Sequence, residues 1–537
     1  METSLGVLML VVLLNSESRA SSLENDTGLN FVVAFPENIA YYHATNPQNS
    51  LKILALYPDT TVKVKIEPNN VTTLQMSSGE DRDFLLHFIP QLELGKSNIT
   101  NQTLHISSDK WITVQVISSK KNSLQTSLVI PTENLSKEYY IPPVPTIKGT
   151  TEPKDTVTRT VTERGPFRLV IINSDKPNTV TVEGKHTQDI SLNPGEAAQV
   201  WLNPDDELRV VKAGEPVSVL FGHSCAMVKD CTCGLVYTVL PPATDQTQTF
   251  IVPPQLAPVD EKDTFILLSE KDSTKVEDFK ADSPKVSVDG TAVLYRPGLL
   301  LRLIPESDFS SCYHITSIPN MNNFAVIVTH KDSTEKVYVG QESKKGADWK
   351  SLKDTDYVST QVPLPSGRNT IWHASSKMAV YFLGQNNVSL VGNPAAAISK
   401  HSDLRGCVLS PEVVRIGEDT QGWRESREYC ENMNLDLVSF SKTKHQQQVL
   451  KMLNKANTDN LKKVWIGLRR SSLTGDWYWL DGDPVNNTNW GQDEPGRVDE
   501  GQCAAMSLES SKNGAWRDED CCEDLHPVCH KKTVLLQ

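Results

Sequence analysis

Ten cysteines fall into two even sets, and no other feature constrains the fold of this chain as much. Cys225, Cys231, Cys233 and Cys312 form one set; Cys407, Cys430, Cys503, Cys521, Cys522 and Cys529 form the other. Even counts in two places suit two separately oxidised domains, and such bridges form in the secretory route rather than the cytosol. The N-terminus agrees with this. The apolar run Leu5–Leu14 is too short to span a bilayer, and Ser18-Arg19-Ala20 offers a small-x-small cleavage site. Residues 1–20 therefore read as a signal peptide. No later apolar run is long enough to cross a membrane, and the tail 532–537 is too short for a lipid-anchor signal. The mature chain is expected to be secreted and extracellular, with no membrane span.

At 537 residues there is room for several domains. The net charge of −13 argues against nucleic acid as a partner. Asn25, Asn70, Asn98, Asn101, Asn134, Asn387 and Asn486 each begin an N-x-[ST] sequon, so the product reads as a glycoprotein.

Residues 21–397 show short β-branched runs broken by Pro, Gly, Asn and Asp, with almost no helical periodicity. This is an all-β, sandwich-like pattern. Val180-Thr181-Val182-Glu183-Gly184 and Val286-Ser287-Val288-Asp289-Gly290 each place an acid-Gly pair after an alternating strand, which predicts a two-residue hairpin turn. Leu51–Leu56, Phe167–Ile172 and Phe265–Leu268 read as equivalent strands, as do Trp111–Ile117, Pro216–Phe221 and Phe324–Thr329. The recurrence predicts three degenerate units, at 30–145, 146–257 and 258–392, each of a size suited to a sandwich. A linker is expected at 393–405, where Pro and small residues break the strand pattern.

Phe221-Gly222-His223-Ser224-Cys225, Cys231-Thr232-Cys233, Phe250-Ile251-Val252-Pro253-Pro254 and the opening Phe31–Pro36 together resemble the N-terminal domain of IgG Fc-binding protein. That resemblance implies an extracellular, mucus- or surface-associated setting and carries no defined binding residues. His223 with Cys225, Cys231 and Cys233 invites a nucleophile or metal reading. Two disulfides among Cys225, Cys231, Cys233 and Cys312 are the better expectation, because thiols in a secreted chain oxidise. No phosphate loop, H-E-x-x-H or G-x-S-x-G is present. No catalytic residues and no enzyme are expected.

Residues 406–531 carry Trp465-Ile466-Gly467-Leu468, Trp490, Glu494-Pro495-Gly496 and Trp516-Arg517-Asp518 among their cysteines. This set resembles a C-type lectin-like domain, which implies an α+β fold. Asp419 or Thr420 is expected to cap a first helix bearing Trp423, Cys430 and Met433. A second helix is expected over 442–456, burying Val449 and Leu453. Trp465, Trp479 and Trp490 are expected in the core. The resemblance implies bridges Cys430–Cys529 and Cys503–Cys521. Cys407–Cys522 is then the expected extra bridge, although the adjacent Cys521-Cys522 leaves their register open and an intermolecular Cys407 bond is the alternative.

In that family an E-P-N and a W-N-D tripeptide bring oxygens to a Ca²⁺ that the sugar hydroxyls then complete. Here Gly496 and Arg517 stand where the two amides belong, while Glu494, Glu500 and Asp518 keep carboxylates near the site. Ca²⁺ takes 6–8 oxygens, so Ca²⁺-dependent sugar binding is expected to be impaired or absent. Glu494-Pro495 would lean towards mannose-type ligands if it survived. Arg470 and Thr474 replace the carboxylates of the family's auxiliary Ca²⁺ site, so no cofactor is expected there. Arg517 is expected to fork onto Glu494 or Asp518 in the cation's place. The whole reads as a lectin-like recognition protein of mucosal or innate defence, with glycans or glycoproteins of mucin, microbial or host surfaces as partners. The alternative is an adhesive mucus component whose lectin-like fold binds protein.

Overall fold

The computed structural model describes residues 26–40, 46–66, 70–86, 92–95, 97–121, 123–151, 155–160, 166–203, 207–229, 232–257, 263–387, 389–440, 442–455, 461–497, 501–509 and 514–536. The signal segment, Asn25, Cys231 and Glu500 lie outside them. The chain divides into two compact units, the second being Ser410–Val534. No helix among the described residues is long and apolar enough to cross a membrane.

The first unit is built almost wholly of antiparallel strands. Alternation fixes their register, since a one-residue slip would turn every buried side chain outward. In its first sheet Gln48–Ala55 lies between Leu104–Lys120 and Asp81–Leu85, burying Leu51, Ile53 and Ala55. In the second, Arg168–Asn173 lies between Val210–Lys229 and Ala197–Trp201, with Leu169 and Ile171 in the core. In both sheets a strand of the first equivalent series pairs with one of the second: Ile53 lies opposite Val114, and Leu169 opposite Phe221. The third section departs from this plan. Phe265–Glu270 pairs with Thr274–Asp278 and Gly290–Arg296. Asn322–His330, the third member of the second series, does not pair with Phe265–Glu270 and centres a separate five-stranded sheet. Leu267, Val293, Tyr295 and Leu300 of that section also join the second section's core.

Neither acid-Gly pair makes the two-residue turn. After Glu183 the chain runs four residues before pairing resumes at Gln188, opposite Val182. Asp289-Gly290 is no hairpin at all. Lys285–Val288 pairs with Gln248–Ile251, and the strand from Gly290 joins a different sheet. A Cβ on Gly290 would sit 2.0 Å from the Ser269 carbonyl oxygen, so glycine is needed for close backbone approach rather than for a turn.

The expected linker is partly buried sheet. Leu390–Pro394 pairs with Met378–Gln385, and Ala396–Ser399 pairs with Cys312–Thr316. Small residues there permit close packing instead of breaking the strand. The boundary between units falls after Leu409.

Cys225 is bonded to Cys233 and Cys312 to Cys407, the latter with Cα atoms 5.4 Å apart. The expected Cys407–Cys522 bridge is therefore corrected, and so is the expectation that Cys312 pairs within its own set. Cys312 lies on a strand beside Ser399, which brings the following segment and its Cys407 within bonding reach. Cys430–Cys529 and Cys503–Cys521 are bridged, and Cys522 is an exposed free thiol. Among the sequon asparagines, Asn98, Asn101, Asn387 and Asn486 are exposed and Asn134 is half-buried.

In the second unit two helices, Trp423–Asn432 and Thr443–Lys455, accompany a sheet in the order Val413–Ile416, His526–Lys531, Lys463–Arg470, Cys503–Ser507, Trp516–Glu519. The central strand sends Val464, Ile466 and Leu468 into one core and Trp465 into another, the period-two pattern of a doubly covered strand. Gly467 is required between them, because a Cβ there would lie 2.6 Å from the Leu437 carbonyl oxygen. The first helix begins at Gly422, without the side-chain cap expected from Asp419 or Thr420. Its first N–H, from Trp423, is satisfied by the Cys521 carbonyl at 2.8 Å.

Candidate functional site

The candidate site is the loop that leaves Trp477–Trp479 and returns through Cys503–Ser507, together with the strand Trp516–Glu519 beside it. Aromatic packing sets its base. Trp479 and Trp516 are buried edge to face at 5.2 Å, and partly buried Trp490 packs on Trp477 and Trp516 at 4.8 and 5.6 Å. Trp490 is thus only half-inside, at the rim of the core that holds Trp465's neighbours on the central strand. Backbone bonds then fix the loop. Gly491 N–H donates to Trp516 O at 2.9 Å, Trp516 N–H to Asn489 O at 2.7 Å, and the Asn489 amide to Gly514 O at 2.8 Å.

This frame brings Glu494, Gly496, Arg517 and Asp518 together. Arg517 Nε donates to Glu494 Oε1 at 2.9 Å, and Gly496 N–H donates to Asp518 Oδ1 at 2.8 Å. Asp518 Oδ2 is buried without a hydrogen-bond partner. Burial, and then the facing Asp518 carboxyl, raise Glu494 above the ordinary carboxylate range, while Arg517 pulls the other way. The same bond to Glu494 raises Arg517. The two partners therefore tell different stories. The guanidinium gains from the contact, yet one charge-assisted bond does not cancel the cost of two facing carboxyls in a partly dry site. Arg517 is 49% exposed and Glu494 13%, so water screens one side of the pair.

A Ca²⁺ ion fits these residues poorly. Of the four described residues brought together here, only Glu494 and Asp518 offer side-chain oxygens, against the six to eight that Ca²⁺ takes. Gly496 has no side chain to give, and Arg517 holds a positive charge against one of the two carboxylates. Arg470 and Thr474 are used in a local turn: Arg470 Nε donates to Gly475 O at 2.9 Å and Thr474 N–H to Ser471 Oγ at 3.2 Å.

One cluster was not foreseen from the sequence. Glu412 Oε1 lies 2.7 Å from His445 Nε2 and 2.9 Å from His530 Nε2. Burial opposes the charge on Glu412, but the two imidazoles hold its carboxyl below the ordinary range. Burial lowers His530. These residues are far apart in sequence and form no local motif, so only the fold brings them together.

Comparison with known proteins finds a family match in each unit. The Lectin C-type domain model matches residues 419–531, and the IgGFc binding protein model matches residues 125–296. The human C-type mannose receptor 2 is 34% identical over 115 residues, which are 21% of this chain and 7% of the receptor. Human lithostathine-1-beta is 31% identical over 118 residues, 22% of this chain and 70% of that protein. Human IgGFc-binding protein is 27% identical over 260 residues, 44% of this chain and 4% of that protein. The chain thus spans under a tenth of the length of the mannose receptor and of IgGFc-binding protein. Both matched families are binding domains.

Proposed function

The chain belongs to the C-type lectin-domain family, and from that premise we propose that it is a secreted recognition protein of mucosal or innate defence. Its C-terminal unit binds glycans or glycoproteins without Ca²⁺. The observation that carries this reading is the Arg517–Glu494 contact at 2.9 Å, in the cleft where the family's metal belongs. The guanidinium offsets part of the repulsion between Glu494 and Asp518 and orders the loop without an ion. Gly496 supplies no side chain, and its backbone N–H donates to Asp518 Oδ1. Recognition then rests on loop side chains rather than on a metal shared with sugar hydroxyls. The first unit, read as three degenerate β sections, serves as the scaffold that presents this domain. Exposed Asn98, Asn101, Asn387 and Asn486 suit a glycosylated surface.

A second reading has one observation in its favour. With both amides absent at Gly496 and Arg517, the lectin-like surface suits protein as well as sugar, as in an adhesive mucus component. Retention of the full chain on immobilised mannan, mucin and deglycosylated mucin separates the two. The first reading expects retention on glycosylated mucin that EDTA leaves unchanged. Release by EDTA, or equal retention after deglycosylation, rejects it.

A further inference from the structure

We propose that Glu412, His445 and His530 form a binding site for a divalent transition-metal ion, with Zn²⁺ as the ion that best suits the donor set. The three side chains present one ligand atom each, all within 4.8 Å of one another. Two imidazoles and a carboxylate match three-ligand zinc sites, in which a water or an outside group takes the fourth place. The same set is poor for Ca²⁺, which requires oxygen donors.

The fold holds these donors from three separate segments. Glu412 immediately precedes the strand Val413–Ile416, whose register sets Val414 opposite His530. His530 follows Cys529, which is bridged to Cys430 in the first helix. His445 stands in the first turn of the second helix, with the Phe440 ring edge-on to it at 5.8 Å. Two of the three ligands thus sit on regular elements, which keeps the arrangement rigid.

Electrostatics and access agree. One carboxylate with two neutral imidazoles leaves a dication only partly neutralised, so any cation nearby matters. Lys532 is held by Asp481 and Asp483 at 2.7 and 2.8 Å, which blunts its repulsion. His445 and Glu412 keep 19% and 18% of their side chains exposed while His530 keeps 4%, so solvent reaches the cluster at His445 and Glu412. Both histidines now meet the same Glu412 oxygen through Nε2. Tetrahedral bonds of ~2.0–2.1 Å place ligand atoms ~3.3 Å apart, so each N···O contact must open by about half an ångström. The imidazoles would then carry their proton on Nδ1 and offer Nε2 to the ion.

The test uses the full chain, stripped with a chelator and titrated with Zn²⁺ by calorimetry and with Co²⁺ by visible absorption. Glu412→Gln and His445→Gln are titrated alongside, with circular dichroism checking that each variant is folded. The expected result is saturable Zn²⁺ binding and four-coordinate Co²⁺ bands, weakened by about 10–100-fold or more in both variants. Binding that is the same in the native chain and both variants, or no saturable binding in the micromolar range, overturns the proposal and leaves the cluster as a hydrogen-bonded strut.

Discussion

Arg517 meets Glu494 through a single Nε–H···Oε1 bond of 2.9 Å, and the neighbouring Asp518 receives the N–H of Gly496. The two residues that stand in place of amide oxygens in this cleft thus engage its two described carboxylates, Glu494 and Asp518. A guanidinium and a backbone N–H do part of what a cation would do, at the cost of leaving Asp518 Oδ2 unpartnered.

The pair should show energetic coupling, though a modest one, because half of the Arg517 side chain faces water. In a double-mutant cycle of Arg517→Gln and Glu494→Gln, read by urea unfolding, we expect a coupling of about 0.5–1 kcal/mol. Arg517→Gln alone should be the most destabilised of the three variants, since it leaves two carboxyls facing each other. Additive single effects would mean that the contact contributes nothing.

The bridge Cys430–Cys529 closes a long loop of 99 residues between the first helix and the last long strand. Replacing both cysteines with alanine should cost ~2–5 kcal/mol. Chemical denaturation that shows a loss well under 1 kcal/mol would place the stability of this unit elsewhere.

Thiol labelling distinguishes the observed pairing from the Cys407–Cys522 bridge that the lectin-like resemblance left to be expected. Iodoacetamide applied to the native, unreduced chain should modify Cys522 and spare Cys407, which is bonded to Cys312. Peptide mapping that finds Cys522 protected and Cys312 labelled would restore the Cys407–Cys522 alternative.

Much of the lectin-like half was legible because its signals are local. Trp465-Ile466-Gly467-Leu468 alternates as a covered strand must, and Val449 and Leu453 mark one helix face. What escaped was set by distant partners. Gly290 is glycine because the Ser269 carbonyl approaches it, not because a turn needs it. Ala395, Ala396 and Ala397 look like a linker but are buried, their small size admitting close neighbours. Cys407 finds Cys312 95 residues away, and Glu412, His445 and His530 meet only in three dimensions. Of the cleft itself, the lost amides and kept acids were plain from the tripeptides. The bond between Gly496 N–H and Asp518 depends on loop geometry that no spacing reveals.

A pH dependence follows from Glu93 in the first unit. Burial raises its carboxyl to about 7, despite hydrogen bonds from Asn38 N–H and the Asn49 amide and the nearby Lys120, with Glu37 adding to the rise. A carboxyl whose folded value lies above its unfolded one binds its proton more tightly when folded. Its contribution is therefore fully present below about 4.5, and is lost as pH rises towards about 7. Over that window it should lower stability by ~3 kcal/mol. Glu93→Gln should flatten this slope relative to the native chain in urea unfolding from pH 4.5 to 7.5. Identical slopes would show that Glu93 ionises freely.

Calcium titration tests the central claim most directly. The full chain, freed of metal with EDTA, is titrated calorimetrically with Ca²⁺ into the millimolar range, beside the double variant Gly496→Asn with Arg517→Asn. If Arg517 occupies the cation's place, the native chain gives no saturable heat from this cleft and the double variant gains measurable affinity. A saturable isotherm in the native chain that Glu494→Gln and Asp518→Asn each abolish would contradict the account.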